Sequence, residues 1–138
     1  MLEILIVSLV AGILTFYINH YLSKGPVFAS ATVALISGLV LPQIFENGTM
    51  LAVVATCASY AGMSAKTRMT NFIEMGLASL LSGFIFYVSQ NALVGHGGRL
   101  GTIAAIAVIT VWGAKQLVVL VQGYLKKSET LELNKQVN

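Results

Sequence analysis

The residue with the most chemistry to offer is a lysine placed where a charge is costly. Lys115 is the only charged side chain in the stretch 101–124, fourteen positions past Gly101. A helix rises about 1.5 Å per residue, which puts Lys115 about 21 Å along that stretch. Burying an ammonium in hydrocarbon costs about 2.5 to 3.5 kcal/mol on insertion scales, so Lys115 must snorkel to the surface or find a counter-charge. Glu74 is the natural partner, because it falls within the first turn of the apolar stretch 72–89 and on the same side of a membrane as Lys115. The pair is a candidate gate, or a site for a charged substrate or proton. The alternative is a static ion pair with a snorkelling lysine. His20, next to Asn19 near the end of the first apolar stretch, could join the same polar group or could simply be hydrated.

A second candidate lies in the loop Gly95-His96-Gly97-Gly98-Arg99. It precedes a helix whose free N–H groups and dipole favour an anion, and His96 and Arg99 can add positive charge. His96, Arg99, Gly97 and Gly98 are therefore anion-binding candidates for an external carboxylate, phosphate or lipid headgroup, weighed against a plain flexible loop. The glycine spacing is not that of a dinucleotide motif, and a long apolar stretch rather than a strand precedes it.

No catalytic arrangement accompanies these groups. The chain has no Gly-x-Ser-x-Gly elbow, no His-Glu-x-x-His and no aspartate. Neither histidine has a second one at metal-binding spacing, and the lone Cys57 sits in an apolar run as a small packed residue. The expectation is a protein that is not an enzyme, with no cofactor and no metal.

The elements that must hold these residues are set by composition. The chain has 138 residues, of which 57% are hydrophobic and 9% charged, against roughly 25% charged in an average soluble domain. So little charge cannot cover a soluble surface of this size, and lipid is the expected surroundings. The formal charge of +3 comes from bases dispersed between apolar runs, which is not the basic patch that nucleic acid requires.

Uncharged runs predict an all-α integral membrane protein, a bundle of about five transmembrane helices. The spans are about 4–22, 27–45, 49–65, 72–89 and 101–124, the third being short and rich in Ala, Ser and Thr. Residues 1–124 form the bundle, and 125–138 read as a short polar cytoplasmic tail. Five crossings put Lys24, Lys66, Arg68, Lys126, Lys127 and Lys135 on one side and leave Arg99 as the only base in a loop on the other. Bases are retained in the cytoplasm, so the N-terminus is expected outside, the C-terminus inside, and the chain in a cell membrane, an inner membrane if the source is bacterial.

Small residues recur every fourth position: Ser8 with Gly12; Ser30, Ala34 and Gly38; Ala58 with Gly62; Ser79 with Gly83; Gly101 with Ala105. Such stripes let helix backbones approach closely. The second and third spans can also be laid on the fourth and fifth, matching Leu35-Ile36-Ser37-Gly38 to Leu80-Leu81-Ser82-Gly83. That suggests a parallel duplication of a two-helix hairpin plus one leading helix, weighed against chance matches in a chain rich in these residues.

Three functional classes follow: a transporter or channel for a small charged solute or ion, an accessory or scaffolding subunit bound to other membrane subunits, and an intramembrane enzyme. The intramembrane charges favour the first. Five short helices enclose little space, so transport implies a homo-oligomer in the lipid bilayer.

Overall fold

A computed structural model describes residues 1–22, 24–92, 95 and 97–137, with 128–137 described by backbone alone. The described residues form five helices and no strand: α1 (Leu2–Tyr21), α2 (Pro26–Ile44), α3 (Gly48–Gly62), α4 (Phe72–Val88) and α5 (Arg99–Val137). α1, α2 and the Arg99–Lys127 part of α5 are long and apolar enough to cross a membrane; α3 and α4 are shorter apolar helices.

The helix boundaries follow local chemistry. Gly25 takes a positive φ of 89° and hands the chain to Pro26, whose ring is preset for a first helical position. α2 runs through Pro42 to Ile44. Gly48 then opens α3 against the backbone of Leu41 and Pro42, so close that a Cβ would overlap both. α3 ends three residues short of the expected 65. The N–H groups of Met63 and Ser64 bond to Tyr60 and Ala61, three residues back, tightening the last turn before the chain leaves the helix. α5 continues through the polar segment expected as a tail. No glycine or proline after Gly123 interrupts it.

α3 is the hub, packed against all four other helices, and α1 packs against α2, α3 and α4. Among the described residues α5 touches only α3 and α4. The two helices that the hairpin alignment pairs, α3 and α5, thus have different surroundings. Nine residues of α3 are buried, from Gly48 to Gly62, whereas α5 buries Ile103, Ala104, Ala107 and Val108.

The tightest contacts join α1, α3 and α4 through small residues. Ser79 of α4 fills the place of a Cβ on Gly12 of α1, and Ser8 of α1 fills the place of a Cβ on Gly83 of α4. Because the helices are antiparallel, two Ser-x-x-x-Gly stripes meet head to tail, each serine over the other's glycine. Gly62 of α3 abuts Thr15 Cβ and the Gly12 carbonyl; a Cβ there would lie 2.6 and 2.7 Å from them. The hydroxyls buried in this seam bond within their own helices: Ser8 to the Leu5 carbonyl at 3.0 Å, Thr15 to Ala11 at 2.8 Å and Ser79 to Met75 at 2.8 Å. Around the seam lies an apolar core that includes Phe16, Ala61, Met69, Met75 and Ala104.

Candidate functional site

α5 runs along α4 and grips it at both ends with a charged side chain. At the first end, Lys115 Nζ lies 2.8 Å from Glu74 Oε1. The same Nζ donates to Thr70 Oγ1 at 2.9 Å. Thr70 in turn donates to the Glu74 carboxylate from its N–H at 2.9 Å and from its hydroxyl at 3.2 Å. The geometry has a local origin. Asn71 is the N-cap of α4 without a side-chain cap bond, so Glu74, in the first turn, folds back onto the loop and meets an N–H that the helix leaves free. Its negative charge also suits the positive end of the helix dipole.

The structure therefore brings Lys115 and Glu74 together and adds Thr70, which sequence reasoning did not single out. The Lys115 side chain is 36% exposed and that of Glu74 18%, so the pair is open on one side. The arrangement can do two things. As it stands it neutralises both charges. If the ammonium swings out, it leaves a carboxylate held by two donors on Thr70, which can take a proton or a cation.

His20 is at the same end of the bundle but has a different partner. Its Nε2 lies 3.0 Å from the Ser64 carbonyl, and since a carbonyl can only accept, that nitrogen carries the proton. Asn19 Nδ2, 3.4 Å from the same atom, then faces a donor with a donor. Turning the Asn19 amide over removes that conflict. The ring packs edge-on against Phe16 with centroids 4.4 Å apart. His20 thus ties the end of α1 to the α3–α4 connection. Next to it, Tyr21 stacks on Tyr17 and on Phe72, with Lys66 5.1 Å from the centre of its ring.

At the other end of α4, Arg99 Nη2 donates to the carbonyls of Ser89 at 2.7 Å and Gln90 at 3.0 Å. Its guanidinium lies over the Phe86 ring at 5.3 Å, and its Nε is buried with no partner. This is a cation satisfying the negative end of a helix dipole. Gly97 and Gly98 are exposed. Gly98, with a positive φ of 85°, offers its carbonyl to Thr102 N–H at 2.9 Å and to the Thr102 hydroxyl at 3.1 Å, starting α5. His96 lies outside the described residues.

Two more polar groups lie inside the bundle. Cys57 Sγ is 3.4 Å from both Ser82 Oγ and the Leu100 carbonyl, and Ser30 and Ser59 share a hydrogen bond of 2.8 Å between α2 and α3. Among the described residues no group of three His, Cys, Asp or Glu side chains could hold a metal ion. No family model, curated protein or solved structure matches the chain.

Proposed function

We propose that the chain is a five-crossing membrane protein with its C-terminus in the cytoplasm, and that it transports or conducts a small charged solute or ion as a homo-oligomer. The observation that carries this reading is the Lys115–Glu74 pair, 2.8 Å apart and reached from one open side. A lysine and a glutamate placed within apolar helices are costly, and such residues in membrane proteins mark ion and substrate paths. In this reading an anionic solute competes with Glu74 for Lys115, or a cation or proton competes with Lys115 for Glu74, and the exchange opens the inner end of the path.

Orientation follows from the bases. Lys24, Lys66, Arg68, Lys126 and Lys127 lie at or beyond the end of the bundle that holds the pair, which supports assigning that end to the cytoplasm. α3 and α4 are 15 and 17 residues long, about 22 and 25 Å. They cross with the bilayer locally thinned or with their ends covered by the longer helices. The test is ion or proton flux through purified protein in liposomes, compared with a Lys115→Ala variant that folds equally well.

A second reading, an accessory subunit with no flux of its own, draws on the outer faces. Gly38 on α2 and Gly101 and Gly113 on α5 have nothing within 4 Å of where a Cβ would stand. These small-residue faces are free to receive a helix of another copy or of another membrane subunit. Copurification of an unrelated membrane protein at fixed stoichiometry, with no flux, would favour this reading.

A further inference from the structure

α5 outruns the bundle. Arg99 holds one end of α4 and Lys115 the other, and the helix then continues for 22 more residues to Val137. The first part of that overhang is apolar over most of its circumference. Leu117, Val118, Val119, Leu120 and Val121 are exposed at 64, 55, 57, 57 and 55%. Five consecutive residues, each turned about 100° from the last, sample the whole circumference of a helix, and the polar residues beside them are Gln116 and Gln122, the latter on the face of Lys115 seven residues before it. Leu125 is exposed too, at 64%, and the next charges are Lys126-Lys127.

We propose that hydrocarbon is what surrounds this overhang, so that the cytoplasmic boundary of the bilayer beside α5 lies at Lys126-Lys127. A second helix would cover one flank of this stretch; lipid covers every flank turned away from the bundle. Continuity points the same way, since Arg99–Lys127 is one helical stretch long and apolar enough to cross a membrane. A lysine pair at its end is the usual cytoplasmic stop.

The consequence concerns the ion pair. Lys126 lies eleven residues past Lys115, about 16 Å along the helix. Lys115, Glu74 and Thr70 therefore sit inside the thickness of the membrane. The same is true of the α3–α4 connection, which carries the exposed Lys66, Thr67 and Arg68. Those charges need water, so the short α3 and α4 end at the floor of a recess open to the cytoplasm, with the α5 overhang as one wall. The inference rests on the membrane reading above and deepens it: a solute reaches Lys115 through this recess, without passing the bundle.

Single cysteines in a Cys57→Ser background test it, in membranes with the cytoplasmic face accessible. Leu117→Cys and Leu120→Cys, both on the side of α5 away from Lys115, carry nitroxide labels, and Thr67→Cys is treated with a charged maleimide. The expected result is that the labels at 117 and 120 relax with oxygen and not with a water-soluble nickel chelate, while Thr67→Cys reacts. Access of the nickel chelate to 117 or 120 would put the overhang in water and overturn the proposal. Protection from both relaxants would mean that protein covers it, which also overturns the proposal. A Thr67→Cys that stays unlabelled while 117 and 120 lie in lipid would remove the recess. None of these readings depends on flux, so failure here is distinct from failure of the transport reading.

Discussion

Ser8 of α1 stands where a Cβ of Gly83 in α4 would have to be, and four residues along, Gly12 receives Ser79 in return. This reciprocal exchange sets how closely the two helices approach. Gly83→Ala should therefore destabilise the folded protein by about 1 to 3 kcal/mol, the usual range for overpacking. Ser8→Gly in the same chain should restore most of the loss, because it removes the atoms in the way. Thermal unfolding in detergent reads both, with Gly123→Ala, at a position with open space, as the variant expected to change stability little. Equal losses for Gly83→Ala and Gly123→Ala would contradict the packing account.

Arg99 is expected to hold α4 closed at its C-terminal end. Arg99→Ala leaves the Ser89 and Gln90 carbonyls without their cation, and hydrogen bonds to charged groups contribute about 1.5 to 3 kcal/mol. Amide exchange over the last turn of α4 should speed up, while exchange in the first turn stays as it was. Arg99→Lys should rescue only in part, since an ammonium lacks the planar face that lies over the Phe86 ring. A change confined to the 95–98 loop, with α4 unaffected, would count against this role.

His20 should act through one bond and one ring. His20→Phe keeps the edge-on contact with Phe16 and loses the bond to the Ser64 carbonyl. A loss of about 0.5 to 1.5 kcal/mol is expected for a neutral hydrogen bond. His20→Ala loses the ring as well and should cost more. If the two variants are equally stable, the ring packing contributes nothing.

Lys115 and Glu74 should be coupled. With one side of the pair open to water, the coupling expected from Lys115→Ala, Glu74→Ala and the double variant is about 0.5 to 1 kcal/mol, and it should shrink as salt is added. Thr70→Val should weaken the coupling, because the Thr70 hydroxyl bonds both partners. Additive effects, with no dependence on salt, would mean that the two charges act separately.

The parts of this arrangement visible in the sequence are those written in side-chain type and spacing. The Ser8/Gly12 and Ser79/Gly83 stripes have the four-residue interval that stacks small groups on one helix face, and they meet across α1 and α4. Lys115 stands out because it is the lone charge in an apolar run, and Glu74 because it opens the run before it. What stayed hidden depends on backbone groups. The Ser64 carbonyl that holds His20, the Thr70 N–H that holds Glu74 and the two carbonyls that hold Arg99 carry no signal in residue identity. In sequence Arg99 belongs to the loop it follows, and its reach of ten residues back to Ser89 appears only once α4 and α5 are folded together. Thr70 had a faint trace, since Asn71 and Glu74 have capping-box spacing and so place a helix start beside it. The length of α5 was hidden differently: residues 125–138 are polar, and polarity alone does not say where a helix stops.

The most direct test of the transport reading is ion and proton flux in liposomes holding equal amounts of folded unmodified, Lys115→Ala and Gly123→Ala protein. The account predicts flux from the unmodified protein and from Gly123→Ala, at a position with open space, and its loss in Lys115→Ala. Flux that survives Lys115→Ala unchanged would contradict it, and so would folded, oligomeric protein that passes no ion or proton under any gradient.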